Sequence, residues 1–259
     1  MERKIIQTKV GPIAVFYKQP YSKKTPIIFL HGVYFDHHLW DNQVSMITDR
    51  FVIAVDMPLH GESKTNIKKN WNLEDCAGML IEILDSLNVK KVVAVGHSWG
   101  SMTILRAAHK NPDRFSAVGL CNMPFKQAGK REIRNIKLQH WALIFRKLYM
   151  EQAAKALMGK GSLSQNPELK GKLTTPMGTL TGRAIKYTDK AVRMDAGDTT
   201  SLIKSLNVPA LAMVGKEDYV GIPPTVETTL VEGGHVSPLE VPNEVNALIE
   251  SLFALAEKK

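Results

Sequence analysis

The stretch that most constrains this chain is Val92-Val93-Ala94-Val95-Gly96-His97-Ser98-Trp99-Gly100-Ser101. Val92 to Val95 is an uninterrupted apolar, mostly β-branched run, which predicts a buried strand. Ser101 to His109 holds helix formers and no breaker, which predicts a helix. The corner between them reads Gly96-x-Ser98-x-Gly100. A strand that turns directly into a helix forces the corner residue into a strained backbone conformation. Glycines two positions either side remove the Cβ atoms that would collide there. The outcome is a serine held at the C-terminal end of a strand, with a helix N-terminus beneath it.

A chain of 259 residues can bury a large core as one domain, or as one domain with an insertion. Apolar runs such as Val92–Val95 and Ala142–Phe145 are too short to span a bilayer. The opening Met1-Glu2-Arg3-Lys4-Ile5-Ile6 turns polar again at Gln7 without an apolar h-region, so no signal peptide is expected. Cys76 and Cys121 are the only cysteines and can build no disulfide framework. Core thiols in the reducing cytoplasm are the expectation.

The net charge is +9, and its position matters more than its size. Residues 124–190 hold fourteen Lys/Arg and four Asp/Glu, a net of +10, which leaves −1 for the rest of the chain.

Along the chain, Lys4–Val10 and Pro12–Tyr17 read as a hairpin around Gly11-Pro12. Pro26–Leu30, Phe51–Val55, Lys91–Val95, Phe115–Leu120, Val208–Val214 and Thr228–Val231 read as strands. Trp40–Ile47 reads as a short helix, and Asn243–Leu255 as the closing one. Asn72 with Asp75 forms a capping box for a helix from Leu73 to about Leu87. Short apolar strands alternating with helices imply a doubly wound, mostly parallel sheet covered on both faces. Residues 124–192 break that rhythm. They read as a helical lid inserted into a core made of 1–123 and 193–259.

Ligands of open α/β sheets bind beyond the C-terminal ends of the strands. Ser98 follows Val95. Gly215-Lys216-Glu217-Asp218 follows Val214. Glu232-Gly233-Gly234-His235 follows Val231, and His31-Gly32-Val33 follows Leu30. A serine needs a base to become a nucleophile near neutral pH, and a histidine base needs a carboxylate to fix its tautomer. All three residue types stand at strand ends, in the order Ser, Asp, His.

Five stretches in this order and spacing resemble the serine α/β-hydrolases over nearly the whole chain. They are Leu30-His31-Gly32 with Trp40, Asp56-Met57-Pro58-Leu59-His60-Gly61-Glu62-Ser63, Gly96-His97-Ser98-Trp99-Gly100, Gly215-Lys216-Glu217-Asp218 and Gly234-His235. The resemblance implies an α/β-hydrolase fold with a helical cap. It further implies Ser98 as nucleophile, His235 as base and Asp218 as its orienting acid. The backbone N–H groups of Val33 and Trp99 would form the oxyanion hole. Glu217 competes with Asp218 for the acid, but the offset of three from Gly215 favours Asp218. Some relatives carry the acid after the strand ending near residue 121; that place holds Asn122, which carries no charge.

Dehalogenases and epoxide hydrolases that resemble this fold use aspartate at the corner, so a serine indicates acyl transfer on an ester, lactone, thioester, amide or activated C–C bond, with a carboxylic ester, lactone or thioester as the first reading. The alternatives are a C–C bond hydrolase, a proline iminopeptidase-like enzyme, and a non-catalytic ligand-binding or receptor protein. The basic insertion argues against an amine substrate. No cofactor is expected. His31, His37, His38 and His60 show no ligand spacing, so no metal site is expected either. The expected partner is a small-molecule acyl substrate, anionic or carrier-bound if the lid charge takes part, and not nucleic acid. The Trp99 side chain should wall the pocket, and Trp141, Ile144, Phe145 and Leu148 of the lid should line it. One departure from the family stands out. Only thirteen residues, Gly215 to Glu227, join the last two strands, and Pro223-Pro224 lies among them. The usual helix there should be missing or reduced to a turn.

Overall fold

The computed structural model describes residues 1–20 and 22–258. Its centre is an eight-stranded sheet in the order β1-β2-β4-β3-β5-β6-β7-β8. The strands are β1 (Glu2–Gln7), β2 (Pro12–Lys18), β3 (Ile27–Leu30), β4 (Val52–Val55), β5 (Val92–His97), β6 (Phe115–Cys121), β7 (Ala210–Gly215) and β8 (Glu227–Val231). β1 and β2 form the expected hairpin, and β2 pairs antiparallel with β4. Every later pairing is parallel.

Alternate strand residues feed two cores, one on each face, because a strand's side chains alternate in direction. On one face Ile28, Leu30, Ile53 and Ala94 meet Leu80, Ile83, Ile104 and Leu105. These come from α2 (Leu73–Ser86) and α3 (Trp99–Lys110), which follow α1 (Asp41–Met46) in the chain. On the other face Phe29, Ala54, Val93 and Val95 meet Trp40, Val245, Leu248 and Leu252. Each such fully buried aliphatic side chain stabilises the fold by roughly 1.5–3 kcal/mol. The capping box at α2 is present: Asn72 Oδ1 accepts from the Glu74 and Asp75 N–H, and Asp75 accepts from the Asn72 N–H. Cys76 and Cys121 are buried free thiols, and burial pushes both up, Cys121 to about 12.

Between β6 and β7 the chain leaves the sheet. It forms α4 (Lys130–Ala142), a 3-10 turn (Leu143–Phe145), α5 (Arg146–Leu157), α6 (Lys160–Gln165), α7 (Leu169–Gly178), α8 (Gly182–Thr188) and a π-helical turn (Asp189–Met194). Thr199 closes the neck of this cap: its N–H and hydroxyl both donate to Phe125 O. α9 (Thr200–Lys204) then packs back on α3.

No helix joins β7 and β8; residues 216–226 are turns and bends. The chain still brings the two strands parallel, with Gly215 opposite Val231. α10 (Ser237–Glu240) and α11 (Pro242–Glu257) close the chain.

Candidate active site

The C-terminal strand ends converge on one cavity of about 410 Å³. Its floor includes Val33 after β3, His97 at the end of β5 with Ser98 next, and His235 after β8. Its roof is cap, including Tyr149, Ala153 and Leu157 of α5, with Arg193 at the π-turn.

Ser98 has φ 51° and ψ −110°, between the last residue of β5 and the first of α3. This is the strained corner the sequence predicts. Its flanking glycines are sterically required. A Cβ on Gly96 would lie 2.3 Å from Ser101 N, and one on Gly100 would lie 2.1 Å from Leu30 O. The Ser98 N–H donates to Cys121 O, which ties the corner to β6.

Ser98 Oγ lies 2.9 Å from His235 Nε2, and His235 Nδ1 lies 2.8 Å from Asp218 Oδ1. With Nδ1–H donating to the carboxylate, Nε2 is left as acceptor for the serine proton. Burial pushes the Asp218 carboxyl up, but hydrogen bonds from His235, Asn122 and the Val220 N–H outweigh it and hold it below the usual carboxylate range. Glu217 is not a competitor for this place. Its carboxylate accepts from the Lys160 N–H of the cap.

Gly32 brings the β3 loop against Ser98: a Cβ there would sit 3.2 Å from Ser98 Cβ and 2.4 Å from His97 Nδ1. Val33 follows it and lines the cavity with Ser98. Trp99 opens α3, where the first N–H groups have no partner within the helix. Val33 and Trp99 are the residues from which the sequence expects the oxyanion donors.

Three residues missed in the sequence hold this arrangement. Asn122, with φ 51° at the end of β6, donates to Asp218 Oδ2 at 2.8 Å and to Gly234 O, and accepts from the Ser237 N–H. His97 Nε2–H donates to the His235 carbonyl at 2.6 Å. Burial drives the His97 pKa down to about 3, so the ring is a neutral prop. Glu240 accepts from the Gly234 and Val236 N–H groups on either side of His235, and from the Gly159 N–H of the cap. The sequence signal was position: His97 and Asn122 stand at strand ends, and Glu240 ends α10, five residues after His235.

Four expectations about side chains need correction. The Trp99 indole does not wall the pocket. It is fully buried, stacked on Trp71 at 5.4 Å and edge-on to His31 and His60. Trp141, Ile144 and Phe145 do not line the cavity; they face solvent. Trp141 lies on the solvent face of α4 with Arg134 and Lys137; Ile144 and Phe145 lie in the 3-10 turn at Leu143–Phe145, which ends α4, so helical spacing does not carry across it. Leu148 alone of the four reaches the cavity, at its rim.

His31 and His60 serve structure. His31 Nδ1–H donates to Gly32 O while Nε2 accepts from the Met57 N–H. His60 is held likewise between Pro58 O and the Tyr34 N–H. Burial drives their pKa values down to about 3 and about 4. Asp36, His37 and His38 are the one group of ligand-type side chains close enough to share an ion among the described residues. They lie outside the cavity lining. Their polar atoms are engaged in the loop: His37 Nδ1 with Asp56, His38 Nδ1 with Asp41, and Asp36 with the His38 N–H.

Comparison with known proteins agrees with this fold. Residues 25–149 match the family described as alpha/beta hydrolase fold. The chain is 24% identical to 3-oxoadipate enol-lactonase 2 of Acinetobacter baylyi, over 90% of each chain. It superposes on a thermophilic esterase from Thermogutta terrifontis with a TM-score of 0.86 at 21% identity, covering 99% of each chain. It superposes on the enol-lactonase of Burkholderia xenovorans with a TM-score of 0.82 at 17% identity, covering 93% of this chain and 97% of that one.

Proposed function

We propose that this chain, which has the α/β-hydrolase fold, is a serine hydrolase that cleaves a carboxylic ester or lactone through an acyl-enzyme. The observation that carries the reading is the continuous hydrogen-bonded line Asp218–His235–Ser98 at the floor of a cavity.

Ser98 Oγ attacks the substrate carbonyl while His235 Nε2 takes its proton. The tetrahedral oxyanion sits against the Val33 and Trp99 N–H groups. Losing one such donor typically costs about 2.7–4 kcal/mol in the barrier. His235 then gives the proton to the leaving oxygen, and the acyl-enzyme forms. Water enters, loses a proton to His235, and releases the acid and Ser98. Asp218 stays ionised throughout and fixes the histidine tautomer.

The mainly apolar cavity suits an acyl group of small to medium size. The enol-lactonase and esterase relatives support ester-type C–O cleavage. Buried, unpaired cysteines fit a reducing compartment such as the cytoplasm.

The test is covalent. A fluorophosphonate should label the parent protein at Ser98 and leave Ser98→Ala unlabelled. The parent should also turn over a short p-nitrophenyl ester. A folded parent protein that takes up no label and releases no nitrophenol would reject the reading in favour of a binding protein on the same fold.

A further inference from the structure

The cap carries an exposed apolar corner, of which only Leu148 also lines the cavity. Leu138, Trp141, Ile144, Phe145 and Leu148 are 61, 75, 78, 69 and 52% exposed. Single exposed apolar side chains are ordinary, but five within eleven residues mark an interaction surface. The corner is built on ordered helix, from the end of α4 through the 3-10 turn to the start of α5.

Its charge is of one sign. Residues 133–150 include Arg134, Lys137, Arg146 and Lys147 and contain no Asp or Glu. Arg146 is engaged by the carbonyls of Met177, Gly178 and Leu180. The next acid along the chain, Glu151, is paired with Lys170. Arg134, Lys137, Leu138 and Trp141 stand at i, i+3, i+4 and i+7 of α4, so they share one helix face, and all four are exposed.

This pairing of features selects the partner. A second copy of the chain would set one patch of excess positive charge against another, which is repulsive. An anionic lipid surface answers both features at once. Tryptophan settles at the level of the headgroups, phenylalanine and leucine bury at the acyl boundary, and lysine and arginine reach the phosphates along their apolar stems. We propose that the corner from Leu138 to Leu148 docks the protein peripherally on an anionic bilayer surface. No helix among the described residues is long and apolar enough to cross a membrane, so the contact is lateral. Leu148 lines the cavity as well as the corner, so the docked face adjoins the cavity rim.

The protein carries its own reporter. Of its four tryptophans, Trp40, Trp71 and Trp99 are buried and only Trp141 is exposed. Vesicles of phosphatidylcholine mixed with phosphatidylglycerol should sediment the protein and shift its tryptophan emission to the blue. Pure phosphatidylcholine vesicles should do neither. Lys137→Gln should weaken binding about fivefold, and added salt should weaken it further. A Trp141→Ser, Phe145→Ser double variant should lose binding by tenfold or more with its melting temperature kept, since both side chains are exposed. Three results would each overturn the proposal. One is no binding to the anionic vesicles. Another is equal, salt-insensitive binding to both compositions. The third is a dimer in light scattering that the double variant abolishes while vesicles stay unbound. None of these readouts depends on hydrolysis.

Discussion

β3, β4, β5 and β6 are buried along their whole lengths, whereas α4 of the cap buries one side chain, Ile136. The contrast explains where apolar pattern is informative. A central strand is covered on both faces, so an apolar residue there is buried whichever way it points. A cap helix has one side toward the cavity, one toward its neighbours and one toward water. Its 3.6-residue period says which residues share a side and not which side is inward. The chemistry follows the same division. Ser98, Asp218 and His235 stand on strand ends held by the sheet, and the cap reaches them through a few polar stitches. The Leu157 carbonyl accepts from the His235 N–H. Glu240 and Glu217 accept from the Gly159 and Lys160 N–H groups.

Asp218 and Glu217 give the sharpest test of that division, because adjacent acids serve different regions. Asp218→Asn should lower kcat on a short ester about 10⁴-fold, since the amide presents the wrong hydrogen-bond partner to His235. Glu217→Gln should change kcat by only about twofold. Steady-state kinetics on both variants decides it; the reverse order would move the acid to the cap-facing residue.

Glycine substitutions compare the two regions by stability. Gly100→Ala drives a methyl into the backbone of β3, 2.1 Å from Leu30 O. It should cost about 3 kcal/mol or more, because a central strand cannot shift to make room. Its denaturant midpoint should fall sharply, and an unchanged midpoint would mean that the corner has slack.

Acid should act on the sheet side. His31, His60 and His97 are buried neutral, with pKa values lowered to about 3, about 4 and about 3. The unfolded chain protonates these rings near pH 6.5 and the folded one does not. Stability from them is therefore complete above about pH 6.5 and falls as pH drops from there toward their folded values. Asp218 adds a loss at lower pH, as its depressed carboxyl protonates. Urea midpoints measured from neutral pH down to pH 5 should fall steadily. A flat profile would mean that the three rings take up protons without unfolding.

The smallest effect is expected in the cap. A Cβ on Gly171, inside α7, would meet nothing within 4 Å. Gly171→Ala should raise stability by about 0.5–1 kcal/mol through helix propensity. A loss there, read from the same urea curves, would show that α7 packs more tightly than the structure indicates.

The sequence alone determined the parts whose constraints are local or symmetric. The elbow was legible because a strand-to-helix corner accepts only small flanking residues, and Gly96 and Gly100 supply them. The Asn72 capping box was legible because both bonds lie within four residues. The missing helix before β8 followed from thirteen residues and two prolines. Tertiary structure decided everything that depends on distant chain meeting chain. Ser98 and His235 are 137 residues apart; β8 lies three strands from β5, and they touch because the loop after β8 runs back across the ends of β7 and β6. Asn122, which looked like an empty place for an acid, became the residue that orients Asp218. Glu240 became the clasp between cap and histidine loop. Trp99 turned inward to stack on Trp71, Trp141 turned outward on the solvent face of α4, and Ile144 and Phe145 followed a short 3-10 turn that broke one helix into two. A side chain's direction at such a break is set by what packs against it, which local spacing does not encode.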